Sequence, residues 1–223
     1  MNIVYNKTYR MKNLFLGTLF LLGITSAAHS QNWNTIRYKD LVSFELPVGY
    51  TIMDTAGTKI YQSEIDDTTY ICTFVEDVEP IRFASEESIS AFYTDFFDGL
   101  VAKSNKPKVL KKEIVSFGKF KALRASLERN VIVKELTWEI LVFHVQNTTL
   151  SFQCITQKKA KAQFDRLEKS IRFNDALTEK DQIDPAVGQA AERGFFDKYG
   201  AYLLVGLAVM LGVGFLQRRK KKN

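Results

Sequence analysis

The sequence is poor in the residues that most often carry chemistry: its 223 residues hold two cysteines, two histidines and four prolines. Two cysteines, Cys72 and Cys154, are too few for a disulfide framework. With a single histidine outside the leader, they also fall short of the four closely spaced ligands of a structural zinc site. No Gly-x-Ser-x-Gly, His-Glu-x-x-His, phosphate-loop or dinucleotide-binding pattern occurs. Acidic residues are missing from both ends, while Lys7, Arg10, Lys12, Arg218, Arg219, Lys220, Lys221 and Lys222 cluster there. The middle then holds 23 basic against 25 acidic residues, so its net charge is −2 although the whole chain is +6. Nucleic-acid binding needs concentrated Lys and Arg on a folded face, and this distribution excludes it.

What is present begins with two apolar segments. Leu14 to Ile24 is an 11-residue apolar run after Lys12 and before the small residues Ala27, Ala28 and Ser30. It is too short to span a bilayer, so residues 1–31 read as a secretory signal, with Met1 and Met11 both fitting as starts. Tyr199 to Gln217 is 19 residues without charge, followed by five consecutive basic residues. As a helix it reaches roughly 28 Å, near the ~30 Å hydrocarbon thickness. The positive-inside rule keeps the basic tail, residues 218–223, in the cytoplasm. A type I single-pass protein of a bacterial inner membrane, its domain facing the periplasm, is the expected setting. Ala201, Val205, Ala208 and Gly212 share one face of this helix, and Ala208 with Gly212 forms a small-xxx-small pair suited to homodimer packing.

Residues 32–175 read as one extracytoplasmic α+β domain, with a single antiparallel sheet flanked by helices. Val42, Phe44 and Leu46 alternate before the turn pair Pro47 and Gly49. Lys59 to Ile65 and Thr68 to Val78 predict a hairpin closed at Asp66-Asp67. Ile89, Phe92, Tyr93, Phe96, Phe97, Leu100 and Val101 recur at helical spacing as one wide stripe of core. Ser85 is the expected N-cap, but Ser88 stands where a capping box has Glu or Gln. Strands are then expected at Val109–Phe117, Lys121–Leu127, Val131–Val145 and Thr148–Thr156. The third of these is apolar on both faces in its second half, which calls for cover on both sides of the sheet. A closing helix over Lys158–Ser170 turns Ala160, Phe164, Leu167 and Ile171 inward. Residues 176–198 read as a polar stalk.

Phe44-Glu45-Leu46-Pro47-Val48-Gly49-Tyr50 at the front, the long aromatic helix, and Phe164 to Phe173 at the back resemble the PsbP-like α/β/α sandwich. That family includes photosystem II extrinsic subunits, a Ran-binding import factor and bacterial secreted proteins. The resemblance implies a binder or assembly factor and supplies no catalytic motif.

Candidate chemistry is sparse. His144 shares a strand face with Leu136, Trp138, Ile140 and Val142, where a packed histidine is the expectation over a general base. Glu135 and Glu139 are four residues apart on one strand, roughly 13 Å, beyond the ~5–9.5 Å of paired glycosidase carboxylates. Cys72 and Cys154 each lie on an apolar strand face, where a bridge and two buried thiols are both open. No catalytic residue, metal or cofactor is expected. The reading is a membrane-anchored binding or accessory module with an unidentified protein partner and the bilayer. The rival readings are a structural subunit of a membrane complex and an anchored hydrolase.

Overall fold

The computed structural model describes residues 32–186 apart from 56, 78–81, 105–106, 132–133 and 158–160. Ten strands and two α-helices follow one another: β1 (Trp33–Tyr38), β2 (Val42–Pro47), β3 (Thr51–Thr55), β4 (Thr58–Ile65), β5 (Thr68–Glu76), α1 (Glu86–Lys103), β6 (Lys108–Phe117), β7 (Phe120–Val131), β8 (Lys134–Val145), β9 (Thr148–Thr156), α2 (Lys161–Ser170) and β10 (Arg172–Phe173). The protein is thus mostly β, and every strand pairing within its sheets is antiparallel.

The expected single sheet is corrected to two. Strands β3-β4-β5-β9-β8-β7-β6 form a seven-stranded sheet, and β1-β2-β10 form a small separate one. The alternation Val42, Phe44, Leu46 is real, but these side chains face the large sheet rather than extending it. Alternation shows that one face is buried and does not say which strand supplies the hydrogen bonds. The chain changes sheets at Pro47-Val48-Gly49, where Gly49 takes φ +88°, a conformation that a side chain disfavours.

The hairpin at Asp66-Asp67 forms as a two-residue turn. Both residues have positive φ, 47° and 62°, matching the twist of the flanking strands. The aromatic stripe of α1 buries Ile89, Tyr93, Phe96, Phe97 and Leu100 against Leu123, Leu127, Trp138 and Ile140. On the opposite face, Phe164 and Leu167 of α2 join Phe44 and Leu46 over Leu141, Phe143 and Phe152. The second half of β8 is therefore covered on both sides, Ile140 and Val142 by one layer, Leu141 and Phe143 by the other. The N-terminus of α1 also corrects the sequence reading. Ser88 N donates to Ser85 Oγ at 3.3 Å, and Ser85 N donates to Ser88 Oγ at 3.2 Å, so serine completes a reciprocal capping box.

The folded domain runs past the expected boundary at Asp175. Leu177 and Gln182 are buried, and Ile183 packs against the α1 side of the core. Phe83 and Ile183 form an isolated bridge, and Asp184 N donates to Phe83 O at 2.8 Å. Residues Thr178–Asp184 are a strap across the sheet end, not stalk. Ala160, the signal segment, residues 187–198 of the stalk, and the helix carrying Ala201, Val205, Ala208 and Gly212 lie outside the described residues. Among the described residues no helix is long and apolar enough to cross a membrane.

Candidate functional site

The strap closes over a small cluster of buried polar groups. His144, near the end of β8, is 0% exposed. Its Nε2 lies 3.2 Å from Gln146 O, an acceptor, so that nitrogen carries the proton. Nδ1 lies 3.0 Å from Thr149 Oγ1, a hydroxyl that serves either tautomer as donor or acceptor. The rings of Phe83 and Phe92 stand edge-on to the imidazole at 5.2 and 5.4 Å.

Asp77 follows the last residue of β5, and its backbone N donates to Asn147 O at 2.9 Å. Its carboxylate lies 3.9 Å from His144 Nδ1, and the side chain is sealed from solvent. Among the described residues neither carboxylate oxygen has a hydrogen-bond partner. Desolvation disfavours the charged form, and the acid is pushed from 3.8 up to about 7. A buried polar group without a partner is rare in folded proteins and marks a place to look for function.

Two further side chains tie this pair to the surrounding elements. Tyr93 OH, from α1, donates to Lys121 O at 3.0 Å and accepts from His144 N at 2.9 Å. Burial holds its hydroxyl far above the ordinary tyrosine range, so it stays a neutral donor. Gln182, from the strap, accepts from Lys121 N at 2.6 Å and donates to Lys121 O at 2.8 Å and His144 O at 3.0 Å. Beside it, Asp181 O accepts from Gln146 N, and Asp181 Oδ1 accepts from Gln146 Nε2 at 3.0 Å. For Asp181 partial burial works against ionisation, but hydrogen bonds from Thr178 and Gln146 outweigh it and lower its pKa.

An imidazole beside a carboxylate has the composition of a general-base couple, yet here no surface reaches it. A base must come within hydrogen-bond distance of the proton it removes, and the strap, Phe83 and Phe92 occupy that space. Of the cluster's members only His144 stood out in the sequence. Asp77 lay inside the expected strand Thr68–Val78, and Gln182 lay inside the expected stalk. The signal for the strap was Leu177 and Ile183, two apolar residues in an otherwise polar run.

Cys72 and Cys154 are free, fully buried thiols. The register pairs Cys72 with Phe152 and Tyr70 with Cys154, which puts the cysteines diagonally across adjacent strands. Diagonal residues are roughly 7–8 Å apart, beyond the usual disulfide span. Burial raises both pKa values, that of Cys154 to about 12, so the reactive thiolate is suppressed. Glu139 accepts from Ser126 Oγ at 2.8 Å, which occupies one of the two carboxylates on that strand face.

Two surface features complete the picture. An open cleft of about 620 Å³ between α2 and the small sheet is lined by Ser43, Glu45, Arg166, Lys169 and Arg172. Its cations have structural work: Arg172 Nη1 donates to Lys169 O and Ile171 O, and Arg166 lies 4.2 Å over the Trp33 ring. Positive side chains at a helix C-terminus complement the helix dipole. The second feature is the two edges of the large sheet. Ile52 and Met53 on β3, and Val109, Leu110 and Ile114 on β6, expose 37–51% of their surface.

No protein-family model matches the chain, and no curated protein matches it. Solved structures do. The chain is similar to cyanobacterial PsbP (CyanoP) from Synechocystis sp. PCC 6803, with 12% identity and a TM-score of 0.48, over 66% of this chain and 95% of that one. It is also similar to LpqN, involved in cell envelope biogenesis of Mycobacterium tuberculosis, with 9% identity and a TM-score of 0.37, over 64% and 91% of the two chains. A Bacteroides thetaiotaomicron structure matches at 8% identity and a TM-score of 0.41, over 66% of this chain and 50% of its own length. The resemblance to the PsbP-like fold is one of fold only.

Proposed function

We propose that this chain is a binding or accessory module without catalytic activity, exported by its N-terminal segment and held at a membrane by residues 199–217. The observation that carries the reading is the pair of exposed apolar edge strands, β3 and β6. An open edge offers unpaired backbone groups and side-chain contacts to another chain, the common way a sheet takes a partner. The sealed state of His144 supports the non-catalytic part of the reading, because a hydrolase needs its base in contact with substrate. The setting, a bacterial inner membrane with the domain in the periplasm, rests on the apolar runs and the five terminal cations.

A photo-crosslinking amino acid at Ile52 or Leu110, irradiated in native membranes, tests this. A discrete adduct from those positions, absent when the same group replaces the exposed Glu87 of α1, is the expected result. Identical patterns from all three positions refute the edge-strand reading. Small residues at Ala208 and Gly212 favour the rival, a subunit assembled through the membrane helix. Ala208→Ile with Gly212→Ile then abolishes co-purification while leaving edge crosslinks unchanged.

A further inference from the structure

We propose that the outer face of the small sheet is an oxyanion site, where Arg37 and Arg172 grip a phosphate group above Ser43, with Lys169 beside them.

The strand pairing builds the site. Ser43 of β2 is the register partner of Arg37 on β1 and of Arg172 on β10, so the three residues stand in one row across the sheet. Ile36, Tyr38, Val42 and Phe44 are buried on the inner face, which turns Arg37 and Ser43 outward. Paired strands lie ~4.8 Å apart, so the two arginines rise roughly 10 Å from each other with a hydroxyl between them. The cleft of about 620 Å³ beside α2 and a second of about 230 Å³ are both lined by Ser43 and Arg172, so the row is open to a ligand from either side.

The charge balance of this face favours an anion. The middle of the chain is net −2, yet Arg37, Arg166, Lys169 and Arg172 gather around the two clefts. Three acids share the lining: Asp165, held by Lys161 at 2.9 Å, and Asp40 and Glu45. Among the described residues neither Asp40 nor Glu45 forms an ion pair with these cations, and Lys39 is held by Glu76 at 2.6 Å. Four positive charges therefore face two free carboxylates, and the surplus sits where the row of Arg37, Ser43 and Arg172 crosses the sheet.

Arg172 is positioned in advance. Its Nη1 donates to Lys169 O at 2.5 Å and Ile171 O at 2.8 Å, which covers carbonyls at the end of α2 that would repel an anion. Nε and Nη2 remain for a ligand. One arginine fills both oxygens of a carboxylate, whereas a phosphate presents oxygens to two arginines at once. With charge-assisted bonds of ~2.8 Å on opposite sides, that grip suits arginines about this far apart. The site is separate from the sheet edges at β3 and β6.

Isothermal titration of the full-length protein in maltoside micelles at low salt, with inorganic phosphate as the probe, tests this. Saturable binding is expected, weakened about tenfold by Arg37→Gln and strengthened by Glu45→Gln. Lys108→Gln, on β6 and paired with Glu128, leaves it unchanged. Arg172→Gln weakens binding too, but it also frees the end of α2, so the exposed Arg37 is the deciding position. Glycerol 3-phosphate in solution and phosphatidylglycerol in the micelle then compete with the probe, and the stronger competitor separates a soluble ester from a lipid headgroup. Absence of saturable phosphate binding, or binding that Arg37→Gln leaves equally tight, overturns the proposal.

Discussion

Gln182→Ala is the sharpest test of where this domain ends. The Gln182 amide makes three hydrogen bonds within 3.0 Å, two part-buried ones to both backbone groups of Lys121 and a buried one to His144 O, plus a longer one of 3.4 Å to Tyr93 OH. A net hydrogen bond contributes roughly 1 kcal/mol, and a buried amide left without a partner costs about 1–3 kcal/mol. Removing the amide strands Lys121 N and withdraws a donor from His144 O, so the expected loss is about 3 kcal/mol. Urea unfolding followed by the fluorescence of Trp33 and Trp138 measures it. Trp138 reports on the core, since its indole is buried and donates to Gln153 Oε1 at 3.1 Å. The midpoint should fall while the slope stays constant, the signature of lost stability without a change in exposed area. A loss below ~0.5 kcal/mol would mean that the strap contributes nothing to the fold, and the account of it would be refuted.

Two more predictions concern buried groups. Asp77 binds its proton more tightly in the folded state than in the unfolded one, so its contribution is complete below about pH 4 and lost as the pH rises through 7. The unfolding free energy of the unmodified protein relative to that of Asp77→Asn should therefore fall by about 2 kcal/mol between pH 5.5 and 8.5, and a flat difference in that window contradicts the burial of an unpartnered carboxyl. Cys72 and Cys154 should give the same intact mass before and after reduction, with alkylation only on unfolding; a two-hydrogen difference would establish a bridge and displace the register described above.

Much of the fold was legible because local chemistry and burial agreed. Asp66-Asp67 specified a hairpin turn, and the stripe from Ile89 to Leu100 could serve only as the inner face of a helix. The double cover of β8 followed from Leu141, Phe143 and Val145 lying opposite Ile140 and Val142. Strand β1 escaped because only Ile36 and Tyr38 of it are buried, too short an alternation to signal a strand. The second sheet escaped because a strand lying on a sheet and a strand within it bury the same alternate residues. The polar cluster escaped for a different reason. Asp77, Tyr93 and Gln182 come from three distant places in the chain, and nothing local indicates that a carboxylate, a hydroxyl and an amide will converge on one histidine, the first beside its ring and the other two on its backbone. Their partners are set by the register of β5, β9 and β8, which a single sequence does not print.

Placement across the membrane is the claim from which the proposed role descends, and accessibility in sealed cells tests it most directly. Protease added from outside to spheroplasts should digest the 32–186 region while an epitope after Asn223 survives, and alkaline carbonate should leave the protein in the membrane pellet. Digestion that needs lysis, or release into the carbonate supernatant, would contradict the account.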